Sequence, residues 1–574
     1  MNKHAIWHIC DYPWAVAVDT ATMSIRLRTA KDDMAACRLF YKCRYDWENE
    51  YQVAAMIKVA SDELFDYWQA ECSVERQRYR YFFELNSLSG ERGYFGERGF
   101  SPEPIGNKYG FQFPYNAEAD IYEDVDWMQR GVVYQIFPDR FHNSGVPKTG
   151  LTGDWGSAVN RHSKMGGDLL GIVEKLPYIK KLGADIVYLT PVFLSNTNHK
   201  YNTADYYAID PDFGSVDDVR ELAERTHALG MRLVLDAVFN HCGDDFFAFE
   251  DCKKNGRQSR YWDWFFINGA TVDMKKSNYE MFADSANMPK LNTANPEVRE
   301  YLLDVVCHWQ RELNLDGWRL DVCDEVDHEF WRAFRKRVKA INPQAAIVGE
   351  IMHHSQPWLR GEQFDGIMNY TFREAAIDYF GQRSINGGEF VNALNSARML
   401  YSEPINRQLW NLLGSHDRPR LLDECQFKKK RAIMAIIFQY CYLGVPYIYY
   451  GDEIGMTGAH DPHCRKCMSW DERSHDKKIF GLFEILNKFR VSQSDLLANG
   501  TVEMSVATNG LLLLKREHCG QELLVVFNNG DTAQSCELIP GKYYDVLNQK
   551  QRRLGASLKI AASSAVALMR QIIR

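Results

Sequence analysis

Residues 317–326 read GWRLDVCDEV. The run opens like a buried strand, yet it carries Arg319 and Asp321 and closes on Asp324 and Glu325. Charges at the end of a parallel strand cost desolvation energy unless they are paired or serve chemistry. Which of the two applies here depends on how the other strands of the chain end.

Working outward, short apolar runs alternate with helical patterns from about residue 125. They are VVYQIF (132–137), ADIVYL (184–189), RLVLDAVF (232–239), GWRLDV (317–322), AAIVGEI (345–351), FDGIMNY (364–370), LWNLLGS (409–415) and VPYIYYG (445–451). Segments such as DDVRELAERTHALG and HEFWRAFRKRVKAI supply helices between them. Eight strands alternating with helices predict an α/β fold, a (β/α)8 TIM barrel over residues 123–488, in preference to an open doubly wound sheet. Residues 242–298 are too many for one crossover helix and are rich in Trp, Phe and Asn, which predicts an inserted subdomain over the barrel mouth. Residues 1–122 hold alternating runs such as ATMSIRLRTA and RYRYFFELNS, and residues 489–574 hold GLLLLKRE and ELLVVFNN. Both flanks therefore read as all-β sandwich domains. The basic run KKKR (428–431) reads as the solvated face of a helix.

Composition narrows the function classes. The 574 residues exceed one hydrophobic core, and the net charge of −8 argues against a nucleic-acid or anionic-membrane partner. The longest apolar run, Ala432 to Tyr450, is interrupted by Gln439, Gly444 and Pro446, so no membrane span is expected. The N-terminus lacks the apolar stretch of a signal peptide, and 14 Cys are scattered without a spaced framework. A reducing cytoplasm is the expected location. Cys464 and Cys467 form a lone CxxC, too little for a zinc site.

In a TIM barrel the C-terminal ends of all strands meet at one mouth, where active sites are built. The third strand ends in Asp236, Asn240 and His241, the fourth in Arg319 and Asp321, the fifth in Glu350, and the seventh in His416 and Asp417. A single strand-end Asp is more often a helix cap, but polar ends on four strands together point to chemistry. Two close carboxyls with a third nearby suit glycosidic bond cleavage with retention. Arg319, two residues before Asp321 on the same strand face, is expected to hold Asp321 ionised as the nucleophile. Glu350 has no adjacent cation in sequence, and the fields of Asp321 and Asp417 are expected to raise its pKa for work as a general acid. Tyr201, after the second strand with His199 and Lys200, is placed to stack on a sugar or to pack as a rim aromatic.

DAVFNH, GWRLDVCDEV, VGEIMH and LLGSHD resemble the four signature segments of the α-amylase family, and MPKLN (288–292) resembles the fifth segment of its neopullulanase, cyclomaltodextrinase and maltogenic amylase branch. GVVYQIFPDRF and GVPYIYYGDEIGM fit the same family. The resemblance covers nearly the whole chain and implies Asp321 as nucleophile, Glu350 as acid/base and Asp417 as transition-state stabiliser. It implies His241, Arg319 and His416 as substrate contacts, with Asp461 and Arg465 as a further pair binding the donor sugar. It further implies α-glucan oligosaccharides as substrates, some transglycosylation, and a homodimer formed through the N-terminal domain. An α-1,6-glucosidase or isomerase of the same superfamily is the enzymatic alternative. A catalytically silent sugar-binding barrel is the other, although all three carboxylates are present.

Three departures from the family pattern stand out. Met352 precedes His353 where this branch often has Trp, and Arg418 follows Asp417 where a small Thr is usual. The family's calcium-type loop keeps Asn143, Gly166 and Asp168 but has Gly145, Lys148 and Thr149 at positions that should supply oxygen ligands. The expectation is that no cofactor is required, with Lys148 supplying the positive charge that the ion would bring.

Overall fold

All eight apolar runs become parallel strands of one sheet. A computed structural model describes residues 1–572. The strands are β1 (Val133–Ile136), β2 (Ile186–Leu189), β3 (Arg232–Val238), β4 (Gly317–Asp321), β5 (Ala346–Gly349), β6 (Gly366–Ile367), β7 (Trp410–Asn411) and β8 (Val445–Tyr449). Their order around the sheet is β6-β5-β4-β3-β2-β1-β8-β7. A parallel bridge between Met368 and Trp410 joins the two ends and closes the ring. Six of the strands are completely buried in every residue or in all but the first, as expected of strands covered on both faces.

Register positions the polar ends. Asp236 lies beside Arg319 and Val238 beside Asp321, so the ends of β3 and β4 advance together. Glu350, just beyond β5, donates its backbone N–H to the Leu320 carbonyl at 2.9 Å, which ties it to the end of β4. Gly349 makes that approach possible, because a Cβ there would stand 2.8 Å from the Phe364 ring and 2.9 Å from Cys323 Sγ.

The repeat is imperfect at one place. Between β5 and β6 the only helical element is the turn Gln356–Trp358, so the fifth β/α unit has no α-helix. This segment carries Pro357 and Gly361, which interrupt helix propagation. The insertion after β3 holds a short helix, Phe247–Asn255, and β-bridges, and it returns to the rim through the bridge between Lys290 and His241.

The N-terminal domain is two facing sheets of four and six strands around its own core of Met23, Ile25, Leu27, Tyr79, Tyr81 and Phe83. It is anchored to the barrel by polar contacts and by a small apolar cluster of Ala60, Tyr67 and Met399. Arg26 donates to the carbonyls of Met399 and Tyr401 at 3.0 and 3.2 Å, and Asn395 donates to that of Ser61 at 2.8 Å. The C-terminal domain has a six-stranded and a two-stranded sheet. Its boundary lies later than residue 488, for helix Lys477–Ser492 runs through that position and the first strand starts at Glu503. Leu512, Leu514, Val525 and Phe527 join the barrel core without a break. No helix among the described residues is long and apolar enough to cross a membrane.

Candidate active site

A cavity of ≈520 Å³ opens at the C-terminal ends of the barrel strands. Asp321, Glu350, Asp417, His241, His416, Arg465 and Tyr201 all line it, joining residues from six separate segments of the chain. None of the three carboxylates caps a helix, whereas Asp168 and Asp327 do.

Arg319 lies fully buried at the floor. Its Nη1 donates to Asp236 Oδ1 and Oδ2 at 3.0 and 2.9 Å and to Asp321 Oδ1 at 2.8 Å. Its Nη2 stands 2.8 Å from Glu350 Oε1 as an ion pair. Glu350 therefore does have an adjacent cation, contrary to the sequence expectation. Arg319 belongs to three carboxylates rather than to Asp321 alone, because β3, β4 and β5 deliver them to one point.

One cation cannot hold three buried carboxylates ionised. Burial pushes Asp321 well above the usual carboxylate range, with Arg319 opposing and Glu350 adding. Burial also raises Glu350, against the pull of Arg319 and with a contribution from Asp417. Asp321 is thus not simply held ionised, since burial and the charge of Glu350 both favour its protonated form against the pull of Arg319. Asp417 differs. Burial would raise it, but the guanidinium charges of Arg465, Arg319 and Arg418 help to bring it below the ordinary range. Its Oδ2 lies 3.2 Å from His416 Nε2, and its Oδ1 accepts from Arg465 Nη2 at 3.1 Å.

Val322 follows Asp321 with φ +43°, a conformation costly for a β-branched residue. The turn aims its N–H at Glu350 Oε2, 3.1 Å away. Burial lowers the pKa of both His241 and His416 to about 3, so both are neutral donors or acceptors at neutral pH. His241 Nε2 is buried without a partner, which leaves a hydrogen-bonding position for a ligand. Tyr201 stacks on His416 with ring centroids 5.4 Å apart and 4° between planes, and its hydroxyl lies 2.6 Å from His416 Nε2.

Two expected site residues are not part of the cavity wall, Arg319, which is fully buried beneath it, and Asp461. The Asp461 carboxylate holds Arg465 Nη1 and Arg161 Nε, each at 3.3 Å. His199, Phe282, Met288, Val322, Asp324, Glu325 and Met352 complete the wall. Phe282 was not legible from strand ends, because the insertion carries it over the mouth to stack on His241 at 4.9 Å. The aromatic richness of residues 242–298 was the available signal.

The segment described by "Alpha amylase, catalytic domain" matches residues 135–481, and "Alpha amylase, N-terminal ig-like domain" matches residues 1–117. The chain belongs to the α-amylase family. It is 43% identical to a cyclomaltodextrinase of Thermoanaerobacter pseudethanolicus, over 99% of this chain and 100% of that one. It is 46% identical to neopullulanase 2 of Thermoactinomyces vulgaris, over 85% and 84%. A solved cyclomaltodextrinase structure superposes with a TM-score of 0.94 at 37% identity, covering 99% of this chain and 100% of that one. This α-amylase family member is accordingly a glycoside hydrolase.

The family's calcium loop does not fit an ion here. Lys148 Nζ pairs with Asp168 Oδ2, the lysine side chain being 9% and the aspartate 4% exposed. Ser144 Oγ donates to the same oxygen at 2.7 Å, and Gly171 N donates to Oδ1 at 2.6 Å as part of the helix cap. Asn143 Oδ1 is taken by the Gly145 N–H at 2.8 Å, and Gly166 supplies a φ of +86° at the turn. The anion is already satisfied by donors, and a bound cation would have to displace an ammonium.

Proposed function

We propose that the chain is a retaining α-glucan hydrolase acting on α-1,4, and also α-1,6, glucosidic bonds of cyclomaltodextrins, maltooligosaccharides and pullulan, with some transglycosylation. The observation that carries this reading is the single guanidinium placed against both Asp321 and Glu350 at one cavity. Both carboxyls lie within 2.8 Å of that one guanidinium, which supports a retaining pair, for which a spacing of about 5–5.5 Å is required. The unequal use of Arg319 supports the roles given to them. The hydrogen bond from Nη1 favours ionised Asp321, and Glu350 is read as the partner that carries the proton even though burial raises Asp321 further, because the guanidinium bond is the geometry that selects the charged form.

Asp321 attacks the anomeric carbon while Glu350 gives its proton to the departing glycosidic oxygen, leaving a glycosyl ester on Asp321. Glu350, now ionised, takes a proton from water or from an acceptor hydroxyl, and that oxygen displaces Asp321. Asp417, ionised and aimed by Arg465 and His416, holds hydroxyls of the reacting sugar. His241, His416, Arg465 and Tyr201 bind the same sugar, and Asp461 acts through Arg465. The relatives named cyclomaltodextrinase and neopullulanase support the substrate range. Lys148 makes a bound metal unnecessary. The N-terminal domain pairs two copies, with the exposed Tyr45 and Trp47 as an apolar contact surface, and the free thiols of the chain suit a reducing cytoplasm.

The test is product analysis on β-cyclodextrin, pullulan and soluble starch side by side, with proton NMR of the first product formed. Preference for the cyclic substrate and initial α-anomer are expected. Initial β-anomer would mean inversion and a wrong role for Asp321.

A further inference from the structure

We propose, resting on the reading above, that Arg418 binds the sugar on the leaving-group side of the scissile bond and that Met352 is its displaceable cover. Glu350 marks that side, because the acid must face the departing oxygen. Met352 follows two residues later. Ile351 between them is buried, while Glu350 and Met352 both line the cavity.

Arg418 Nη2 donates to Met352 Sδ at 3.3 Å, and the guanidinium lies over the Tyr370 ring at 5.4 Å. Nothing else in the described residues satisfies it. It makes no salt bridge, and its Nε is buried without a partner. A guanidinium offers five N–H donors, and a thioether is a weak acceptor. Arg418 lies behind Met352, outside the cavity wall, and a ligand that displaces the thioether and supplies oxygen acceptors makes stronger bonds to its guanidinium. Met352 is 48% exposed and has an unbranched side chain that swings aside at little expense. The occupant is neutral. The carboxylates on the same wall are already engaged, Asp324 with His353 at 3.0 Å and Glu325 with Lys290 at 3.3 Å, and their charge disfavours an anionic group. Sugar hydroxyls meet the requirement, with a planar cation taking the place of an aromatic platform.

Arg418 also helps to depress Asp417, so binding must be separated from a purely electrostatic role. The full-length protein and its Arg418→Met and Arg418→Lys variants are compared on maltotriose and on α-maltosyl fluoride, whose leaving group places no sugar on this side. In Arg418→Met, kcat/KM for maltotriose falls about tenfold more than for the fluoride, the size of one charge-assisted hydrogen bond. The maltose concentration giving half-maximal transfer rises in parallel, and Arg418→Lys recovers part of both effects. Equal losses on the two substrates would show that Arg418 acts through Asp417 or the fold, and no loss on either would overturn the proposal outright. If wild type fails to release fluoride, it is the assignment of Asp321 that falls.

Discussion

A single guanidinium shared by Asp236, Asp321 and Glu350 makes the site sensitive to substitutions that conserve shape and change charge. Asp321→Asn is nearly isosteric and keeps the fold, but it removes the nucleophile. Turnover on maltotriose is expected to fall by at least about 10³, measured with contaminating wild type excluded. A variant retaining a tenth of the rate contradicts the role. Glu350 must be protonated to work, and its pKa is raised, so activity should persist above the ordinary glutamate range and be lost as pH climbs through the raised value. In Glu350→Gln that alkaline limb should vanish. The variant should lose about 10²–10⁴ in kcat/KM on maltotriose and far less in kcat/KM on α-maltosyl fluoride, whose first step needs no acid, while the base-assisted second step stays slow for both. A pH–rate profile on both substrates checks this. Strand ends made Asp321, Glu350 and Asp417 legible in sequence. The three-way use of Arg319 was not, because proximity between strands depends on register, and Glu350 is 31 positions from Arg319 by numbering.

At the scale of elements, the eight strands were readable because each is a short apolar run between helical patterns, and four of them end in polar residues. The missing fifth helix was not, since periodicity announces a helix more clearly than it announces the lack of one. The loop between β1 and its helix is the clearest departure from family expectation. Lys148 is tucked against Asp168, itself the N-cap of helix Leu169–Leu182. Chelation with EDTA should therefore leave the melting temperature and activity unchanged. Lys148→Ala should lower the melting temperature by a few degrees, given about 1.5–3 kcal/mol for a hydrogen bond between charged groups. Differential scanning calorimetry decides both. A marked drop with EDTA, reversed by Ca²⁺, would mean that an ion is held after all.

Across the whole molecule, the two β domains are attached in different ways. The N-terminal domain keeps a separate core and leaves Trp47 64% and Tyr45 56% exposed. The full-length protein is expected to scatter light as a dimer at micromolar concentration, and Trp47→Glu to shift it toward monomer with relatively more activity on starch. A wild-type monomer under those conditions removes the basis for pairing. Removing residues 1–120 is a poorer test, because it would also strip the cover from Met399. The sandwich character of both flanks was legible from alternation. Their mode of attachment was not, since it lies in contacts between residues hundreds of positions apart, such as Arg26 with Met399.

The continuous core between barrel and C-terminal sheet has a consequence for how such chains diversify. A chain cut before Glu503 would lose Leu512, Leu514, Val525 and Phe527 and leave bare the barrel surface they cover. The C-terminal sheet is thus inherited with the catalytic unit, as a keystone is with its arch. The N-terminal domain meets the barrel largely through main-chain carbonyls and a few long polar side chains. A recombination joint near residue 120 could exchange it for another sandwich that presents an arginine in the same place. Lineages of this architecture should therefore trade their front domain and keep their rear one.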